Sequence, residues 1–233
     1  HGWLLVGGEK MSKTRLTGIA PGDLVGPFGS DAVRYFFQRE VAFGQDGNFS
    51  WEAMVERYNA DLANGLGNLA SRVTAMVERY RDGVLPGAGP AGDAEVAVQD
   101  AAVQAYADAK AALYELAYER ALAAIWRLVG AANGYLSERR PWDLARAGDD
   151  LALDTVLYTG AEVLRIAALL AAPWLTKAAP ALWTALGAPG ELAEARLPEA
   201  LAWGGLPRGA RVRRVGALFP RLDPEGNVVQ RAG

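Results

Sequence analysis

Val55-Glu56-Arg57-Tyr58-Asn59-Ala60-Asp61-Leu62-Ala63-Asn64-Gly65-Leu66-Gly67-Asn68-Leu69-Ala70-Ser71-Arg72-Val73 is the stretch that decides the fold. Within it and just beyond, Val55, Tyr58, Leu62, Leu66, Leu69, Val73, Met76 and Tyr80 return every three or four residues. That is the period of one helix face. The stripe predicts an amphipathic helix over 50–81, with Ser50 as its N-cap and a stop at Asp82-Gly83.

Downstream, helix follows helix. A Gly/Pro/Ala linker over 85–92 leads into helical pattern over 93–139, read as two helices with a break near 115–119. Pro141 ends that run, because proline has no N–H to give and clashes with the preceding turn. A further helix is expected over 149–172, closed by Pro173, with shorter pieces at 180–186 and 191–203. Val212, Val215, Leu218 and Phe219 alternate weakly, so the tail reads as an extended return segment. No internal repeat is present. Helices with one apolar stripe each bury those stripes against one another, which predicts a mainly α bundle.

Upstream, the first fifty residues differ. An apolar run, Trp3-Leu4-Leu5-Val6, reads as a strand. Pro21-Gly22-Asp23-Leu24 opens one helix, and a second over 30–41 would be capped by Ser30 or Asp31. A polar turn, Gly44-Gln45-Asp46-Gly47-Asn48, leads to Ser50. One strand cannot make a sheet, so its partners are expected before His1. The chain does not begin with methionine and reads as a piece of something longer.

Composition excludes several chemistries. The 233 residues include no cysteine, so disulfides and thiolate metal sites are out. The only histidine is His1, which rules out a histidine-based triad and argues against zinc. No apolar run reaches the length of a membrane span, and no signal peptide is visible. Net charge is -3, so bulk charge does not announce a nucleic-acid partner. Local charge is more suggestive: Arg139-Arg140 lie near Trp142, and Arg208, Arg211, Arg213 and Arg214 cluster towards the end.

Two of the four lysines stand three positions apart in Glu9-Lys10-Met11-Ser12-Lys13-Thr14, behind Gly7-Gly8. A lysine ammonium is a compact charge on a flexible stem and can follow a moving phosphate. Phosphoryl and nucleotidyl transfer need that positioning and electrostatics more than they need an acid or a base. On charge pattern alone, a solvated basic turn is the commoner meaning.

The residues themselves go further. Lys10-Met11-Ser12-Lys13-Thr14 resembles the KMSKS signature of class I aminoacyl-tRNA synthetases, with threonine for the last serine. The resemblance narrows to the methionyl-tRNA synthetase family on four more stretches: residues 1–14, 43–50 (Phe43 to Ser50), 57–72 (Arg57 to Arg72) and 131–142 (Ala131-Ala132-Asn133 to Pro141-Trp142). The closing Leu218-Phe219-Pro220-Arg221 is similar to the family's C-terminal peptide. Together these span nearly the whole chain.

The resemblance implies an α-helical anticodon-binding bundle preceded by a KMSKS-loop and stem-contact segment of a Rossmann-type catalytic domain. The implied division is 1–50 for the end of the catalytic domain, 51–205 for the anticodon-binding domain and 206–233 for the return peptide. Lys13 would be the main contact to ATP, assisted by Lys10 and Ser12, with Mg2+ accompanying the ATP. Asn68, Arg72, Pro141 and Trp142 would read the first anticodon base of tRNA(Met). Asn64, Asn68 and Arg72 are spaced by four, so they are expected to share one helix face beside the apolar stripe. Amide and guanidinium groups can bond the Watson–Crick edge of an unstacked base, and an indole can stack on it. The segment 44–48 resembles the junction that the family lays along the inner side of the tRNA.

The implied activity is ATP-dependent activation of methionine and its attachment to tRNA(Met). ATP and methionine would be bound through an N-terminal half not in this sequence, so the fragment alone is expected to be inactive. A monomer in the cytoplasm, away from membranes, is expected. One rival is a stand-alone tRNA-binding helical module whose lysine loop is vestigial. Another is a different class I synthetase, for leucine or cysteine, against which the set Asn68, Arg72, Pro141 and Trp142 argues.

Overall fold

A computed structural model describes residues 2–6, 9–10 and 18–229, with 9–10 described by backbone alone. Three short strands come from the N-terminal part: β1 (Leu4–Val6), β2 (Glu9–Lys10) and β3 (Gly47–Phe49). Their order is β2-β1-β3. β2 pairs antiparallel with β1, through Leu5 with Lys10, and β3 pairs parallel with it, through Leu4 with Gly47 and Val6 with Phe49. This corrects two expectations. The first strand finds partners within the chain, and part of the polar turn at 44–48 is extended. Gly47 leaves room for the residue that ends the preceding helix: a Cβ there would stand 2.4 Å from Val41 Cγ2.

Between β2 and β3 lie α1 (Pro21–Phe28) and α2 (Ser30–Glu40). Neither Ser30 nor Asp31 caps α2. Gly29, at φ 79°, is its N-cap. Asp31 is buried and turned away instead. Its carboxylate accepts the N–H groups of Lys177 and Ala178 and the hydroxyl of Thr176, so it caps a helix at the far end of the chain. The expected Ser50 cap is present: its Oγ accepts the Ala53 N–H at 3.1 Å.

The helix predicted over 50–81 forms in three registers. α3 (Trp51–Arg57) passes into a π-helical segment over Tyr58–Gly67, and α4 (Asn68–Arg81) completes it. In the middle part the turn is wider, with N–H groups reaching five residues back. Gly67 suits that turn, since a Cβ would stand 2.9 Å from the Leu62 carbonyl. The stripe is buried as expected: Tyr58, Leu62, Leu66, Leu69 and Val73 are all in the core.

α5 (Asp93–Tyr114), α6 (Tyr118–Arg139), α7 (Pro141–Ala147), α8 (Asp150–Ala171) and α9 (Ala178–Ala185) finish the bundle. α8 runs through its middle and is buried on all sides from Thr155 onward. Gly160 of α8 lets α4 and α6 close in, with Val73 Cγ2 and Leu136 Cδ2 at 3.3 and 3.4 Å from where its Cβ would be. α8 also carries a buried ion pair. Arg165 grips Glu162 at 2.6 and 3.1 Å and donates to the carbonyls of Ala200 and Ala202. Glu162 in turn accepts the N–H groups of Gly204, Gly205 and Leu206. The pair therefore fixes the loop before the tail.

The tail returns along α4 and the π segment. Val212 N–H meets the Gly83 carbonyl, Val215 N–H meets Thr74 Oγ1, and Asn59 holds both the N–H and the carbonyl of Leu222. Asn59 thus behaves towards the tail as a neighbouring strand would. No described helix is long and apolar enough to cross a membrane.

Candidate nucleic-acid interface

The predicted base-reading residues come from α4 and α7, brought together by the way α6 ends. Arg140 adopts φ 47°, a left-handed conformation that breaks the helix and turns the chain. Pro141 then takes the first position of α7, where a missing N–H costs nothing. Pro141 is buried, so its contribution is to hold the turn and not to face a ligand. Trp142, one residue on, is only partly buried. Asp143 steadies this short helix by pairing with Arg140 at 2.5 Å and with Arg146.

Arg72 reaches this indole from α4, its guanidinium carbon 5.8 Å from the ring centroid. A cation over an indole face is attracted by the ring quadrupole. Among the described residues, Arg72 has no carboxylate partner and no side-chain hydrogen bond. Burial pulls its pKa below the ordinary value, yet a guanidinium stays charged at any physiological pH. Its donors are therefore available to an acceptor that arrives from outside.

Asn68 stands one turn before Arg72, on the same face. Its amide donates to Asn133 Oδ1 of α6 at 3.1 Å. Asn133 cannot turn round, because its own NH2 donates to the carbonyls of Gly65 and Val129 at 3.2 and 3.1 Å. The amide orientation of Asn68 is thereby set, with its carbonyl oxygen and second proton left for a ligand. Asn64, one step earlier in sequence, lies inside the π segment. The spacing of four that unites Asn68 and Arg72 does not extend to it.

Asn133 is not among the site residues expected from the sequence. A signal existed: Trp126 and Asn133 are seven apart on α6, and both donate to π-segment carbonyls, Trp126 Nε1 to Asp61 at 3.0 Å. Behind the site, buried Glu95 accepts the Tyr135 hydroxyl at 2.7 Å and the Gly92 N–H at 2.9 Å, and lies 3.1 Å from Arg139. Burial opposes the Glu95 charge, but Tyr135, Gly92 and Arg139 outweigh it and hold its pKa below the usual carboxylate value. The cluster locks the start of α5 to the end of α6, next to the Arg140 turn.

Lys10 takes part in β2 through its backbone, while Ser12 and Lys13 lie outside the described residues.

On this helical bundle a fixed amide, an unpaired guanidinium and an indole, each half-buried, stand together, the chemistry expected of an aminoacyl-tRNA synthetase's anticodon platform. The comparisons narrow the class. Residues 1–74 match the family described as tRNA synthetases class I (M), and residues 85–228 match the anticodon binding domain of methionyl tRNA ligase. The methionine–tRNA ligase of Streptomyces coelicolor is 47% identical over 232 residues, covering 96% of this chain and 43% of that protein. That of Caldanaerobacter subterraneus is 41% identical, covering 97% of this chain and 35% of the other. The Mycobacterium tuberculosis methionyl-tRNA synthetase crystal structure in its apo form superposes with a TM-score of 0.84 at 38% identity, over 96% of this chain and 43% of that one. Its complex with methionyl-adenylate gives 0.85. The chain belongs to the methionyl-tRNA synthetase family, and it spans less than half the length of these relatives.

Proposed function

We propose that this chain is the C-terminal portion of a methionine–tRNA ligase, the part that recognises the anticodon of tRNA(Met) and supplies the lysine loop that closes on ATP. The complete enzyme activates methionine with ATP and joins it to the tRNA. In this reading residues 1–50 belong to the catalytic half, 51–205 form the anticodon platform and 206–233 return along it. The enzyme works as a monomer in the cytoplasm.

One observation carries the reading: a half-buried, unpaired Arg72 over the Trp142 ring, one helical turn from an Asn68 whose amide is already oriented. A base stacked on Trp142 would meet the guanidinium donors of Arg72 and both the donor and acceptor of Asn68. Pro141 serves by positioning the indole. At the other end of the chain, Lys13 with Lys10 and Ser12 would neutralise the charge that builds on the triphosphate of ATP, with its Mg2+.

The test is Trp142→Ala in the full-length enzyme. Stacking on an aromatic side chain is worth about 1–3 kcal/mol per base, so kcat/KM for tRNA(Met) should fall by about 5- to 150-fold. Methionine-dependent ATP–pyrophosphate exchange should hardly change. Charging at the parental rate would show that the ring does not stack on the anticodon.

A further inference from the structure

We propose that Arg208, Arg211, Arg213 and Arg214 of the return segment form a strip that binds the phosphate backbone of the RNA whose bases are read beside it. The inference rests on the tRNA-binding reading above and extends it to a surface that reading leaves unused.

All four side chains are exposed. Among the described residues, none of them has a carboxylate within ion-pair distance or a side-chain hydrogen bond. Other arginines of this acidic chain are engaged: Arg57 with Glu40 and Asp61, Arg81 with Asp150 and Asp154, Arg127 with Asp108. Four unpaired like charges within seven residues repel one another, and a polyanion relieves that repulsion.

The charges sit on a fixed rail. Leu85 N–H meets the Ala210 carbonyl, Val212 N–H the Gly83 carbonyl, Arg213 N–H the Ala185 carbonyl and Val215 N–H the Thr74 hydroxyl, at 2.7 to 3.2 Å. Val212 is buried, and in extended chain its neighbours Arg211 and Arg213 point the other way, to solvent. Phosphate contacts from such a rail lose little conformational freedom in the backbone.

The rail also runs past the right place. Thr74 is two residues, about 3 Å of helix rise, from Arg72, and a helix is about 10 Å across. The strip thus flanks α4 on one side while Asn68 and Arg72 occupy another, within a helix diameter. Phosphate contacts position a nucleic acid and base contacts specify it, and α4 would divide the two tasks between its flanks.

The experiment measures Kd for tRNA(Met) against KCl concentration with the full-length enzyme, using parent, R213Q/R214Q, R213K/R214K and W142A. Each phosphate contact contributes a slope of roughly 0.7 in log Kd against log salt, so losing two lowers the slope by about 1.4. Between about 50 and about 200 mM KCl the parent should then lose about sevenfold more affinity than R213Q/R214Q. R213K/R214K should keep the parental slope, and the effect of R213Q/R214Q should be equal for tRNA with an altered anticodon. W142A should weaken binding only for the native anticodon and leave the slope alone. An unchanged slope for R213Q/R214Q, or an equal loss in R213K/R214K, overturns the strip. If W142A still weakens binding while the slope of R213Q/R214Q is parental, the strip falls and the anticodon reading stands. If neither variant affects tRNA binding, both fall.

Discussion

Replacing Asn133 by alanine should loosen the bundle and blunt base reading at once. The side chain makes two bonds that nothing else replaces: it donates to the Gly65 carbonyl of the π segment at 3.2 Å and accepts from Asn68 at 3.1 Å. Its third bond goes to Val129, one turn back on its own helix. A typical intramolecular hydrogen bond contributes about 0.5–1.5 kcal/mol net, so losing two costs roughly 1–3 kcal/mol of folding stability. Urea unfolding followed by circular dichroism reads that term directly. The second effect is on function. Without Asn133 the Asn68 amide is free to turn over, and the equivalent of one hydrogen bond to the base, about 1 kcal/mol, is lost. Kd for tRNA(Met) should rise by about fivefold, while tRNA with an altered anticodon base should bind as before. An N133A protein with parental stability and parental discrimination would refute the claim that Asn133 sets the Asn68 amide.

Two further outcomes follow from the buried charges. Glu162→Gln leaves Arg165, 2% exposed, without a counter-charge and should cost about 3–5 kcal/mol in urea unfolding, much of it recovered in the pair E162Q/R165M; a loss below about 1 kcal/mol would mean the pair is not desolvated. Glu95 has its pKa held below the ordinary 4.5, so its charge stabilises the fold above that pH, and the contribution disappears as pH falls through the lowered folded-state value. Glu95→Gln should therefore flatten the acid limb of the stability–pH curve below pH 4.5 and lower stability at neutral pH; an unchanged acid limb would remove Glu95 from the titration.

What was legible was local. The stripe from Val55 to Tyr80 announced its helix, because burial of one face repeats with the helical period whatever the helix packs against. Ser50 read correctly as a cap because its partner, Ala53, is three residues away. Asn68 and Arg72 read correctly as neighbours because one turn of α4 joins them. The lysine pair was equally plain as a sequence motif, and the resemblance it began led to the family that the comparisons show.

What failed was anything whose partner lay far along the chain. Asp31 has the position of a cap for its own helix, yet it caps α9, and no local pattern encodes a partner more than a hundred residues away. β3 looked like a turn because its three residues carry no alternation; only pairing with β1 makes them a strand. The π segment, Asn133 and the Glu162–Arg165 pair were silent for the same reason: each exists to satisfy groups on another element. The sequence by itself determined the long helices, the family and the candidate readers, but not α7, and the helix expected over 191–203 is only two short 3-10 turns, Leu192–Glu194 and Glu199–Leu201. The tertiary structure alone decided that Trp142 meets Arg72, that Asn133 orients Asn68 and that Pro141 is buried. Helical periodicity is set within a few residues of chain, whereas a site assembled from three helices depends on how their buried faces pack.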